Sequence, residues 1–354
     1  MDFIVKRDNL REARFESSPS PALEEGQVRL RIKKFAFTAN NVTYGAVGES
    51  IGYWKFFPAT EGWGRIPVWG IAAVDESRHA ELPEGERLYG YLPMSTELVL
   101  QPDAITPHGL VDASTHRAQL PVVYNQYTRL AAVPGYDRKQ DDRMMLLQPL
   151  FMTSFLIDDF LDDKDFFGAS TVVVLSASSK TAFSLAALLS RNRTCRVIGL
   201  TSDGNRDFVE RLGCYDQVVT YDDVTSLPAE PSVVVDMAGS GPVLSSVHEH
   251  LRDEVKYSCQ VGITHWEAGG LAGELPGAKP EFFFAPTQIE KRRKDWGSAG
   301  FQQRSAESWQ TFLRESDGWL EIVQGRGPED VERVYLATVE GRANPRQGHI
   351  LSVE

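Results

Sequence analysis

The segment VVVLSASSKTA at residues 172–182 constrains this chain more than any other. An apolar run suited to a fully buried strand passes directly into a turn of small residues, and a helical pattern begins at once. Doubly wound α/β domains hold a dinucleotide pyrophosphate at such a turn, because the first N–H groups of the helix lack internal partners and point at the anion. Glycines usually line that turn so that backbone can approach phosphate closely. Here Ser176, Ser179, Lys180 and Ala182 occupy the stretch. In one reading Ser178, Ser179, Lys180 and Thr181 hold phosphate, with hydroxyl donors and one positive charge replacing glycine backbone. In the other the segment is an ordinary helix start, with a serine cap and a solvated lysine. A Walker-type loop is excluded, since it needs glycine immediately before the lysine, where Ser179 stands.

The surroundings alternate as a parallel sheet covered on both faces requires. Strands are expected at 171–175, 196–200, 218–220, 232–236, 256–261 and 281–284, with helices at 181–191, 206–212 and 243–251. Upstream the texture is different. Residues 27–37 alternate apolar and polar, 66–74 form an apolar run, and short strands are expected at 88–92 and 97–99 among frequent Pro and Gly. The segment 144–161 has apolar residues at helical spacing, with Pro149 limiting where its helix starts. The last fifty residues suggest a helix at 306–315 and strands at 333–336 and 349–353. The expected organisation is an α/β chain: a β-rich domain over 1–135 completed by 305–354, and a doubly wound domain over 136–304.

Composition narrows the function classes. A net charge of −12 argues against general nucleic-acid binding. Three widely spaced cysteines suggest neither a disulfide framework nor a cysteine zinc site. No leader pattern and no membrane-length apolar run stands out, so a soluble cytoplasmic protein acting on a small molecule is expected.

Five further segments, in order, resemble the medium-chain dehydrogenase/reductase superfamily: LEEGQVRLRIKKFAFTANNVTYG, the glycine-rich stretch from FFPATEGWG to LYGYLP, LFMTSFLIDDFL, GLTSDGNRDFVERLGCYDQVVTYDD and GRANPRQGHILSVE. The resemblance implies a GroES-like β domain joined to a Rossmann-type domain. Zinc-dependent members carry a Cys and a Gly-His-Glu segment where this chain reads TANNVTYG and PATEGWG, so the likeness is to the zinc-independent quinone and enoyl reductases, with no zinc. It further implies NADP(H), because Thr201 and Ser202 stand where an acid would select NAD, and Asn205 and Tyr221 follow nearby. Asp203 is close enough to weaken that preference, and turn chemistry explains Thr201 and Ser202 as well. Gly239 and Gly262 match segments beside the nicotinamide, or simply end strands.

Asn40, Asn41, Thr43 and Tyr44 fall where the resemblance places the substrate-side wall, and Tyr44 is the first candidate proton donor, with Asn41, Tyr53 and Tyr124 as the others. The aromatic run 51–57 either lines that pocket or serves core packing or a subunit contact, and Lys55 within it either holds an acidic substrate or sits at the rim. His248 and His250, two apart on a helix, do not share a face. His116 is read as structural, and both the acidic residues 158–165 and the basic run 291–294 as solvated. Zinc-free relatives often form homodimers. Two other function classes stay open: a cofactor-free lyase or retro-aldolase on the same scaffold, favoured by the lost glycines, and a non-catalytic binding protein.

Overall fold

The computed structural model describes residues 1–17, 19–133, 135–192, 195–262 and 274–354. Contacts divide the chain into one unit of residues 1–146 with 321–354 and another of 147–320.

In the second unit, valine-rich runs too apolar for a half-exposed sheet build one that is covered on both faces. Every residue of Thr171–Leu175 and Ser232–Asp236 is buried. Among the described residues the sheet has six strands, all parallel, in the spatial order Gln217–Thr220, Arg196–Thr201, Thr171–Leu175, Ser232–Asp236, Val255–Gln260, Pro280–Phe282. Numbered along the chain this order is 3-2-1-4-5-6, that of dinucleotide-binding sheets, with its reversal between Thr171–Leu175 and Ser232–Asp236. Register places Leu175 opposite both Leu200 and Asp236, and Thr201 opposite Thr220. The strands therefore end level, and the loops after them emerge along one edge.

In the first unit, among the described residues, a nine-stranded mixed sheet is organised by the long strand Val28–Phe37. It pairs antiparallel with Pro67–Ser77, with Glu97–Leu100 and with Gln347–Ser352, the last bringing the chain's end back beside its beginning. The core of this unit combines Phe3, Leu30, Phe35, Val68 and Leu92 with Val331, Tyr335 and Leu351. The expected fold class is thus present: one β-rich unit, and one doubly wound unit of Rossmann type.

Several expectations are corrected. Residues 333–336 are not a strand but lie in helix Gly327–Val339. Pro328 opens that helix, Glu329 and Asp330 sit in its first turn, and Val331, Val334, Tyr335 and Thr338 are buried at helical spacing, a pattern longer than the window that suggested a strand. The helix expected at 306–315 is the end of a longer one, Ala285–Glu315, broken at Gly297, whose φ is 73°. Pro149 does not delimit its helix, which runs Asp141–Asp163 through the proline, forgoing one backbone hydrogen bond there. By length and composition alone the stretch Arg138–Asp163 could cross a membrane, although half of its apolar window is buried inside the protein, as in a core helix. Its acidic end and the basic run are not simply solvated. Arg292, nearly buried, meets Asp159 at 2.5 Å, Asp163 at 3.0 Å and Asp295 at 3.0 Å, and Lys291 meets Asp163 and Asp295.

His248 and His250 do diverge. His248 is sealed, with Nδ1 2.9 Å from the Pro276 carbonyl and Nε2 2.9 Å from Ser258 Oγ, whereas His250 Nε2 meets the Leu227 carbonyl. Desolvation holds the His248 pKa below its ordinary 6.5, against the pull of the Pro276 carbonyl. The unfolded chain then binds the proton more readily. The stability contributed is present above about pH 6.5 and lost as pH falls through the folded value. Urea denaturation followed from pH 7.5 to 5, roughly spanning that interval, should show stability falling with pH in the wild type and less steeply in His248→Gln.

Candidate functional site

The carboxyl edge of the second unit's sheet gathers residues distant in sequence. The turn after Thr171–Leu175 keeps the backbone form of a glycine turn without the glycine: Ser176 has φ +56°. The Ser176 carbonyl accepts the Ser179 N–H at 2.8 Å, and the Ala177 N–H donates to the Leu200 carbonyl at 2.9 Å. Ser179 Oγ then accepts the Ala182 N–H at 3.3 Å, so this hydroxyl caps helix Lys180–Asn192. Lys180 occupies the first turn. By surface area it is half-buried, but its ammonium is surrounded closely enough that desolvation brings its pKa down to about 8. Thr181 is partly buried beside it, and its carbonyl accepts from Ser154 Oγ at 2.8 Å.

Two neighbouring loops reach this turn. Asn205 Nδ2 donates to Ser178 Oγ at 3.3 Å, and Tyr221 Oη lies 3.5 Å from Ser176 Oγ. Burial raises the Tyr221 pKa, partly opposed by the bond to Ser176. Thr201 is fully buried at the tip of its strand, and its Oγ1 has no hydrogen-bond partner among the described residues. Ser202 is half-buried and Asp203 exposed in the turn that follows. A buried hydroxyl without a partner is costly, and here it lies at the carboxyl edge, on the strand next to Thr171–Leu175, which flanks the reversal point where this type of sheet receives a ligand.

The two glycines on the other side of the reversal have local explanations. Gly239 lies at φ +73° and its N–H donates to Asp236 Oδ1 at 2.9 Å, closing a turn. A Cβ on Gly262 would fall 2.3 Å from the Met237 carbonyl oxygen, so its bare backbone serves protein packing. Its neighbour Ile263 lies outside the described residues.

The left-handed form of Ser176 suggests a direct test. A non-glycine residue there costs roughly 1–2 kcal/mol, partly offset by the greater unfolded-state freedom of glycine. Ser176→Gly is expected to raise thermal stability by up to about 1 kcal/mol, whereas the β-branched Ser176→Val should lower it by about 2 kcal/mol, both read from thermal unfolding curves.

In the first unit, Tyr44, Tyr53 and Tyr124 come together. Tyr44 rides on helix Ala39–Ala46, Tyr53 on the turn Tyr53–Lys55 and Tyr124 on the turn Val122–Tyr124. Ring centroids lie 4.6 Å apart for Tyr44 and Tyr53, and 5.8 Å for Tyr53 and Tyr124. The hydroxyls of Tyr53 and Tyr124 bond to each other at 3.2 Å. Burial raises the pKa of all three above the ordinary tyrosine value, so they are phenols at neutral pH. Asn41 does not join them. Its Oδ1 accepts the Thr38 N–H at 2.8 Å and its Nδ2 donates to the Pro67 carbonyl at 2.9 Å, which commits the amide to capping the helix and tying it to a strand. Burial raises the Tyr44 pKa, and the neighbouring Asn40 is among the groups that oppose the rise. Lys55 is exposed, at the rim, and His116 Nε2 meets the Phe56 carbonyl at 3.2 Å.

Sequence reading missed Trp69, Tyr91 and Arg117. Trp69 and Tyr91 face each other across paired strands and complete the aromatic wall with Phe56 and Phe57. Arg117 is fully buried and ties the wall together. It bonds Asp112 at 2.7 Å, the Tyr124 carbonyl at 2.7 Å and Tyr127 Oη at 3.0 Å, while Tyr127 Oη donates to the Tyr91 carbonyl at 2.7 Å. Its guanidinium also stacks near Phe56 and Phe57. The sequence offered one usable signal, a strand-face aromatic in both WGI and LYGYL.

Among the described residues no group of three or more His, Cys, Asp or Glu is placed to hold a metal ion.

Comparison with known proteins supports the fold. No curated protein matches this chain in sequence. CurA from Vibrio vulnificus, solved in complex with NADPH, is 14% identical, with a TM-score of 0.68 covering 99% of this chain and 96% of that one. The yhdH oxidoreductase from Salmonella enterica, solved with NADP, is 13% identical, with a TM-score of 0.56 covering 100% and 99%. A putative NADPH:quinone reductase from Bacillus thuringiensis is 12% identical, with a TM-score of 0.59 covering 99% and 98%. In sequence, a family model described as a protein of unknown function matches residues 35–344, and with most of its length inside that match the chain belongs to the DUF2855 family.

Proposed function

We propose that this chain is a zinc-independent, NADP(H)-dependent reductase of an activated carbonyl or enone. The observation that carries the reading is the carboxyl edge of the 3-2-1-4-5-6 sheet, where Asn205 bonds Ser178, Tyr221 bonds Ser176, and the Thr201 hydroxyl at the tip of its strand is buried without a partner among the described residues. CurA and yhdH, solved with NADPH and NADP, support the choice of nucleotide. In this reading residues 147–320 form the nucleotide domain, and 1–146 with 321–354 the substrate domain.

The residues present fit such a cofactor. A helix N-terminus, the Lys180 ammonium and the hydroxyls of Ser178 and Thr181 favour an anion. Thr201, Ser202 and Asn205 supply donors for a ribose phosphate, with Tyr221 alongside. Gly239 and Gly262 belong to the nicotinamide side. When bound, the nucleotide supplies a hydride to the substrate carbon. Tyr44 then gives its hydroxyl proton to the substrate oxygen, which holds the electron pair of the former π bond. Tyr53 and Tyr124 pack against Tyr44, and Asn40 steadies its hydroxyl; Asn41 acts by fixing the helix that carries it.

The test is a titration with NADPH and NADH by calorimetry and nicotinamide fluorescence. Micromolar binding of NADPH, tighter than NADH, supports the reading and justifies a carbonyl and enone screen. Binding of neither would overturn it in favour of cofactor-free C–C cleavage or a non-catalytic binding role. We further propose a cytoplasmic homodimer, from the resemblance to zinc-free reductases; sedimentation at monomer mass would refute the dimer.

A further inference from the structure

We propose that Trp69 is a positioning residue for Tyr44, its indole N–H steadying the negative charge left on the Tyr44 oxygen when that hydroxyl gives up its proton. The inference rests on the reading of Tyr44 as proton donor.

Four observations carry it. Trp69 lies directly across from Tyr91 in the paired strands Pro67–Ser77 and Arg87–Pro93, with ring centroids 5.2 Å apart. Tyr44 stands edge-on against Tyr91 at 5.6 Å, which places the three rings in one cluster. Trp69 Nε1 and Tyr91 Oη are both sealed from solvent, and neither has a hydrogen-bond partner within 3.5 Å among the described residues. Finally, Tyr53 and Tyr124 satisfy each other.

An indole N–H can only donate, and leaving such a donor buried and unused is costly. The arrangement makes sense if the acceptor improves during a reaction. A neutral phenol is a modest acceptor, whereas a phenolate is a strong one, and contacts that are long at rest tighten as charge develops. Burial, aided by Tyr124, disfavours ionisation of Tyr44, while Trp69, Asn40 and Tyr91 act in the opposite sense. Of these three, only the indole has no alternative as donor, since an amide can flip and a hydroxyl can turn.

The step balances. The Tyr44 O–H bond breaks, its electron pair stays on the phenol oxygen, and the proton forms a new O–H bond with the substrate oxygen. That oxygen would hold the carbonyl π pair once a bound nicotinamide cofactor had supplied the hydride. A solvent proton restores Tyr44.

The test replaces Tyr44 with 2,3,5-trifluorotyrosine, whose phenol ionises in an accessible pH range, and follows its ionisation by absorbance and fluorine resonance. In that background Trp69→Phe should raise the midpoint by about 1 pH unit, the size expected for loss of one hydrogen bond to a charged group. A second variant carries 3-benzothienylalanine at position 69, which keeps the indole shape but lacks the N–H, and should give the same rise with a native near-ultraviolet spectrum. An unchanged midpoint in the benzothienyl variant overturns the proposal. NADPH titration of the same proteins separates the two readings. Absent NADPH binding with a shifted midpoint defeats the reductase function but not the Trp69–Tyr44 coupling, whereas intact binding with an unshifted midpoint defeats the coupling alone.

Discussion

Arg117→Met is expected to cost about 3–5 kcal/mol of folding stability, because it leaves the carboxylate of Asp112 buried without its counter-charge. Both side chains of the pair are 1% exposed and 2.7 Å apart. The same substitution removes the donors to Asn125 Oδ1 and to the Tyr124 carbonyl. Arg117→Lys keeps the charge but not the planar fork that reaches Asp112, Asn125 and Tyr124 together, so it should fall between wild type and Met. Exposed pairs provide the contrast: Arg333→Ala, which breaks a contact to Asp330 on an exposed helix face, should leave stability essentially unchanged. Urea denaturation measures all three. Near-ultraviolet circular dichroism should lose intensity in Arg117→Met at denaturant concentrations where the far-ultraviolet signal is still native, because the tyrosines it braces lose their fixed packing first.

Lys180→Ala is expected to weaken NADPH binding about 10- to 100-fold, the usual range for a charge-assisted contact to phosphate. The pH dependence is more specific. Desolvation brings the Lys180 pKa down to about 8 in the free protein. A bound phosphate would favour the ammonium and raise that value, so binding takes up a proton. Affinity should be flat below about pH 7 and decline as pH rises through 8, and Lys180→Ala should abolish the decline. Calorimetry in two buffers of different ionisation enthalpy reads the proton uptake directly. An identical pH profile in wild type and variant would remove Lys180 from the site.

Much of the nucleotide-type unit was legible because its signals are local. Residues 171–175 and 232–236 are apolar runs bounded by turn residues, and both are strands with those limits. The helix at 327–339 was not read, because a four-residue window of RVYL looks like a strand until the proline and acids before it are included. Ser179 shows a different limit. The sequence allowed a phosphate ligand or a helix cap, and only the 3.3 Å contact to the Ala182 N–H reveals that the hydroxyl caps. That the Asn41 amide is spent on holding its own helix could not be read from pattern, since its partners are a backbone N–H one turn back and a carbonyl on a distant strand.

By itself the sequence determined the alternation of strands and helices, hence a parallel sheet with its loops on one edge, since periodicity and turn chemistry are encoded within a few consecutive residues. It also determined that a serine and lysine turn stands where glycines usually serve. Only the tertiary structure decided that Ser176 keeps the left-handed backbone regardless, that Thr201 ends buried without a partner, and that Trp69, Tyr91 and Tyr44 meet in one cluster braced by Arg117. These are consequences of strand order and register, which join residues far apart in the chain, and what such residues face depends on packing that no local pattern records.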